Sequence, residues 1–139
     1  MTQEDKELLL KDLSSRLPYG VKFKTTATHT ETLRSMGFEN YGLIPINLFY
    51  KKPEFYLINE FGRLEYKPYL RPMSSMTEDE NKEAKENGCI IYWDTSPEDK
   101  GLLVIASPRG FDWLNKKMFD YRGLIEKGLA LEAPKDMYN

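Results

Sequence analysis

Cysteine and histidine are nearly absent from this 139-residue chain, which holds one of each, Cys89 and His29. The single thiol excludes an intramolecular disulfide and a cysteine-rich zinc site, and no second imidazole exists for a zinc or non-haem iron centre. His29 lies in the polar stretch Thr28–Glu31, which reads as a turn, and Cys89 opens an apolar run, which reads as core. A catalytic Cys–His pair would therefore need the fold to bring two distant positions together. Excess charge is also missing: the net charge is −2, which rules out a uniformly cationic nucleic-acid binder while leaving room for a local basic patch. Long apolar runs are absent. Leu102–Ala106 is among the longest, against the roughly 20 residues of a membrane span. The opening Met1–Lys6 has no basic start and Leu8–Leu10 is its first apolar run, so no export signal is read and the expected location is the cytoplasm. Neither a GxGxxG turn nor a Walker loop occurs, so the backbone cradle that nucleotide phosphates require is lacking.

What remains is the composition of a globular protein, 40% hydrophobic and 13% aromatic, of a size that fits one domain over residues 1–139. Thr2 followed by Asp5, then leucines at 9, 10, 13 and 17, predicts an amphipathic helix over residues 3–16, stopped by Pro18 and Gly20. Val21–Lys24 alternates as a half-buried strand does. From 21 to about 70, Gly37, Gly42, Pro45, Pro53 and Gly62 divide a run of β-formers into short strands. That spacing predicts a small curled antiparallel sheet or SH3-like barrel. Pro45 removes a ladder donor and belongs at an edge or a bulge. Asn59–Arg63 reads as the hairpin turn between strands near 54–58 and 63–66. Lys67–Pro72 carries two prolines and reads as an extended strap.

The second half is punctuated for helices and a hairpin. Thr77 with Glu80 forms a capping box before a polar helix that runs to Gly88. Cys89–Trp93 and Leu102–Ala106 flank a turn-rich segment and read as a second hairpin. Ser107 caps a helix with Pro108 at its first position, and Asp120 is expected to cap another through Ile125 that ends at Gly128. The apolar tail Leu129–Pro134 should dock on the domain. The fold class is thus α+β: an N-terminal helix, a small antiparallel sheet or SH3-like barrel, and C-terminal helices.

Three blocks of sequence carry a resemblance: Lys6–Leu13 with Arg16–Lys22, the strap Lys67–Thr77, and Asp112–Asn115 with Phe119–Leu131. Together they resemble a family of short, functionally uncharacterised proteins encoded by gut bacteria of the Bacteroides type and by their phages and other mobile elements. The resemblance implies an intracellular accessory protein of a phage or mobile element. It carries over no catalytic residue.

Residues 21–72 hold eight Lys/Arg against five acids, and Lys51, Lys52, Tyr66, Lys67, Tyr69 and Arg71 are the ingredients of a single-strand nucleic-acid surface, where bases stack on rings and cations track phosphates. Strand alternation sends half of such rings inward, so core and ordinary surface explain them too. Arg109 and Gly110 stand at a predicted helix start where an anion could bind, although a plain cap accounts for every residue there. Residues 78–100 carry eight acids against three lysines; neither EF-hand register puts glycine at the turn, and a solvated face is the simpler reading. Asp112, Trp113, Asp120, Tyr121 and Arg122 are explained by caps and helix packing.

With no nucleophile–base pair, metal cluster or phosphate loop in view, no catalytic residue, metal or cofactor is assigned. The leading expectation is a non-catalytic accessory or adaptor protein that binds another protein, through edge backbone near Leu43–Tyr50 or an apolar–aromatic patch. Single-strand nucleic-acid binding is the alternative, and no membrane partner is expected. An enzyme would instead require a deep pocket with convergent polar groups and a perturbed titrating side chain.

Overall fold

Thr2 and Asp5 start the first helix by closing a reciprocal cap. The computed structural model describes residues 2–24, 30–32, 35–39, 42–46, 67–93 and 102–138, and in it α1 spans Gln3–Arg16. The Thr2 hydroxyl accepts from the Asp5 amide at 3.0 Å, and the Asp5 carboxylate accepts from the Thr2 amide at 3.4 Å. Leu9 and Leu13, one turn apart, are buried, with Leu10 and Leu17 packed beside them. Pro18 tightens the exit into a 3-10 turn, and Gly20 takes φ 76°, the left-handed conformation a side chain resists.

The strap 67–72 is extended, as its prolines demand, and it occupies the interior of a sheet. β1 (Lys22–Lys24) pairs antiparallel with β2 (Thr30–Thr32) and with β5 (Lys67–Leu70), placing Phe23 opposite both Glu31 and Pro68. β5 in turn pairs in parallel with β8 (Leu131–Glu132), giving the order β2-β1-β5-β8. This parallel register begins at Tyr69, so Pro68 sits where β5 has one neighbour instead of two. The small sheet expected from the sequence is therefore mixed: the docked tail returns beside the strap in the same direction after a crossover of about sixty residues, longer than any hairpin allows. β3 (Ser35–Glu39) and β4 (Gly42–Ile46) form a separate hairpin with Pro45 opposite Met36. β3 is the partner of β4 among the described residues, which leaves Pro45 on a strand with one open edge. The hairpin expected at 54–66 lies outside the described residues.

α2 (Glu78–Glu86) begins at the Thr77/Glu80 capping box, and α3 (Pro108–Lys116) begins where the Ser107 hydroxyl accepts from the Gly110 amide at 3.2 Å. Between them β6 (Cys89–Trp93) and β7 (Leu102–Ala106) pair from Cys89↔Ala106 to Trp93↔Leu102. Gly110 lets α3 close on the base of this hairpin: a methyl group there would lie 2.9 Å from the Cys89 sulfur and 3.1 Å from the Gly88 carbonyl.

Two apolar clusters form among the described residues. Leu9, Leu13, Val21, Phe23, Leu70, Met118, Leu124 and Leu129 fill the space between α1 and the four-stranded sheet. Met73, Ala84, Cys89, Trp113, Leu114 and Phe119 join α2, α3 and the β6–β7 hairpin. The seam is covalent and hydrogen-bonded. Met118 and Phe119 point into different clusters, and the Arg71 backbone bridges to them, its amide donating to Met118 O at 2.7 Å and its carbonyl accepting from Asp120 N at 2.8 Å.

After Asp120 the predicted helix does not form. The carboxylate accepts from the amides of Leu124 and Ile125 at 2.8 and 2.9 Å, tying residues 120–125 into turns, and Gly128 at φ 74° turns the chain toward β8. The cap is real, but Gly123 at φ 76° breaks helical geometry inside the first turn.

Candidate functional site

Acids, arginines and a tyrosine do converge where α1 meets the 119–126 loop. Asp12 and Arg16, spaced i,i+4 on α1, are both fully buried, the guanidinium donating to both carboxylate oxygens at 2.9 and 3.0 Å. Arg16 also donates to Phe119 O at 2.7 Å, and Arg122 donates to Asp12 at 2.8 Å from the other side. The Tyr121 ring lies 4.6 Å from the Arg122 guanidinium carbon and 5.4 Å from that of Arg16, and its hydroxyl donates to Asn115 Oδ1 at 2.9 Å. Burial pushes the Asp120 carboxyl above the usual carboxylate range, opposed by its two amide hydrogen bonds, and burial also raises the Tyr121 phenol. A depression of about 440 Å³ opens beside Met73, Asp120, Tyr121, Arg122 and Ile125. Yet the tips of the three converging groups are already bonded to protein: Asp120 to backbone, Tyr121 to Asn115, Arg122 to Asp12. The arrangement clamps α1 to the C-terminal loop, and the groups that hold it leave none poised toward a reacting molecule.

A different balance holds in a cleft of about 480 Å³ beyond the carboxyl ends of the parallel strands β5 and β8. One wall is the strap and the first turn of α2. There Arg71 donates through both terminal nitrogens to Glu80 at 2.8 Å, with its guanidinium carbon 4.2 Å from the Phe119 ring centroid. The Arg71 hydrogen bonds hold the Glu80 carboxyl below its usual range. The other wall is the terminal segment 132–138. It is fastened by Ala133 N donating to Leu70 O at 2.8 Å and by the Tyr138 hydroxyl, which donates to Tyr69 O at 2.7 Å and accepts from Lys22 N at 2.9 Å. At its mouth Glu132 and Lys135 are exposed, with no ion pair or hydrogen bond among the described residues.

Burial pushes the Tyr138 phenol up to about 12 from 10.0, which gives this fastening a pH signature. The folded value lies above the unfolded one, so the stability it contributes is fully present below pH about 10 and is lost as the pH rises toward 12. Urea denaturation across that interval should show a fall in stability that is smaller in Tyr138→Phe, which lacks the titrating group. An equal fall in both proteins would mean the phenol does not hold the segment.

The third feature is apolar. Along β6 and β7 alternate residues face opposite ways: Cys89, Ile91, Val104 and Ala106 pack on α2 and α3, whereas Ile90 and Ile105, directly paired, are 50% and 52% exposed. Burial raises the Cys89 thiol, which donates to Gly110 O at 3.4 Å, so the lone cysteine is core as its sequence context predicts.

Of the predicted nucleic-acid residues, Lys67, Tyr69 and Arg71 are described. Lys51, Lys52 and Tyr66 lie outside the described residues, as does His29. Lys67 and Tyr69 are half-buried on β5, and Arg71 is committed to Glu80. At the start of α3 the Gly110 amide is taken by Ser107, and Arg109 donates to Glu86 O at the end of α2. Among the described residues no cluster of acids, histidines or cysteines is arranged to hold a metal, and no helix is long and apolar enough to cross a membrane. Sequence reasoning missed the Asp12–Arg16–Arg122 clamp and the Glu132/Lys135 cleft. For the first a signal existed, since Asp12 and Arg16 flank Leu13 on the predicted buried side of the helix. For the second there was none, because its walls are about fifty residues apart in sequence. No family model, no curated protein and no solved structure matches the chain.

Proposed function

We propose that the protein is a non-catalytic accessory or adaptor protein that binds another protein through the outer face of the β6–β7 hairpin, in the phage or mobile-element setting that the sequence resemblance implies. The observation that carries this reading is the cross-strand pair Ile90–Ile105, two large aliphatic side chains left half in water one pair from the packed base of the hairpin. Covering them removes apolar surface from water at about 25 cal/mol per Å². The hairpin beneath is anchored by Cys89, Ile91, Val104 and Ala106, so the face is presented without further ordering cost. The commitment of the Asp12, Asp120, Tyr121 and Arg122 tips to protein partners supports a structural use for the polar constellation between α1 and the 119–126 loop.

The partner is isolated from cells carrying the protein, purified, and titrated against wild type, Ile90→Asp and Ile105→Asp. Each substitution should weaken binding by about 30-fold, the scale of a hot-spot loss, while shifting stability by no more than about 0.5 kcal/mol because both positions are solvent-facing. Undiminished binding by both variants would reject the face. Salt-sensitive binding of a single-stranded oligonucleotide, weakened by Lys51→Glu with Lys52→Glu, would instead favour the nucleic-acid reading.

A further inference from the structure

The cleft at the ends of β5 and β8 lies away from the hairpin face and is built of different residues. Its volume of about 480 Å³ is that of a small-molecule site. Its position follows from topology: where two neighbouring parallel strands end and their chains part, one toward Pro72 and the other toward Ala133, a crevice opens between the departing segments. Both walls are fastened, the strap to α2 by the Arg71–Glu80 pair and the segment 132–138 to β5 by Ala133 and Tyr138, so the crevice exists before anything enters it.

Charge decides what fits. The inner wall offers a neutralised pair, Arg71 with Glu80, and the outer lining adds two carboxylates, Glu132 and Asp136, and one ammonium, Lys135. A simple anion would meet Glu80, Glu132 and Asp136, and a simple cation would meet Arg71 and Lys135. A ligand bearing both charges meets a partner for each. The inner pair can also open at low cost: Glu80 Oε1 already accepts from the Thr77 amide at 3.2 Å, so it keeps a hydrogen bond if an incoming carboxylate takes over one Arg71 nitrogen. Pro72, Ala133, Pro134 and Met137 supply apolar surface for the carbon skeleton between the charges.

We infer that this cleft binds a small zwitterion of the amino-acid class, with its carboxylate toward Arg71 and Lys135 and its ammonium toward Glu132. The free amino acid and the short peptide share this chemistry, and the experiment separates them. Amide chemical shifts of the ¹⁵N-labelled full chain are followed on titration with lysine, with the dipeptide lysylglutamate, and with acetate or ethylammonium at matched ionic strength. Saturable shifts at Ser75, Thr77, Ala133 and Lys135 are expected with a zwitterion, and affinities about tenfold weaker or less with either single charge. Tighter binding of lysine assigns a free amino acid, and tighter binding of the dipeptide assigns a peptide. Glu132→Gln and Lys135→Gln, both at exposed positions, should each cost about tenfold, and the exchange Glu132→Lys with Lys135→Glu should not restore binding, because a reversed ligand would bring its ammonium to Arg71. The inference is overturned if no probe gives saturable shifts, if acetate or ethylammonium matches the zwitterions, or if both single variants bind like wild type.

Discussion

Asp12→Ala should destabilise the protein by about 3–5 kcal/mol, because it removes one member of a buried ion cluster and leaves the others in place. Arg16 has no exposed surface, and two of its three side-chain hydrogen bonds among the described residues end on Asp12. Its Nη1 is already a buried nitrogen with no hydrogen-bond partner among the described residues, its guanidinium facing the Tyr121 ring at 5.4 Å. Without the carboxylate, a guanidinium cut off from water would keep one strong acceptor, Phe119 O, and Arg122 would lose its anchor as well. The loss reflects a stranded charge more than the worth of the pair. Asp12→Leu combined with Arg16→Met should therefore recover a large part of it, since an apolar pair of similar volume needs no partner. Chemical denaturation of Asp12→Ala and of the double variant decides the matter. Equal losses in Asp12→Ala and in the double variant would mean that the helix position, and not the buried charge, is what the fold requires.

That cluster also marks where sequence stops being informative. The caps at Thr2, Thr77 and Ser107, the turn at Gly20 and the Cys89–Ala106 hairpin are local, each set by residues within a few positions, and all of them form as read. Asp120 was legible as a cap but not as the cap of a turn, because Gly123 only breaks the helix once its φ of 76° is adopted. β8 could be read as a docking segment from its apolar residues, whereas its parallel register on β5 depends on a crossover that no local pattern encodes. The same holds for the candidate sites. The exposure of Ile90 and Ile105 follows from which face of the hairpin α2 and α3 cover, and the cleft charges meet only because the strap and the tail end side by side. Periodicity reports which residues share a face; it does not report what the other side of the face will meet.

Phe119 is the position where the cluster around α2 and α3 and the wall of the cleft depend on one ring. Phe119→Ala should cost about 3–5 kcal/mol, the range for removing a fully buried aromatic side chain, since Phe119 has no exposed surface. The ring stacks on Trp113 at 5.8 Å between centroids and an interplanar angle of 28°, and the Arg71 guanidinium covers it at 4.2 Å. Collapse into the vacated space is opposed by the backbone, because Phe119 N is fixed to Leu114 O at 3.1 Å and Phe119 O to Arg16 at 2.7 Å. Met118, held at φ 63°, further fixes the direction in which residue 119 points. Phe119→Leu keeps the apolar volume and should lose less than about 1.5 kcal/mol by repacking. A second readout distinguishes the ring's support of Arg71 from simple core filling. The Glu80 carboxyl lies below its usual range because of its Arg71 hydrogen bonds, so the stability it contributes is present above the unfolded value near 4.5 and lost as the pH falls through the folded one. If the ring positions the guanidinium, the Glu80 titration observed by NMR should move upward in Phe119→Leu. If it stays where it is in the wild type, Arg71 is held by Glu80 alone, and the coupling between the core and the cleft wall is absent.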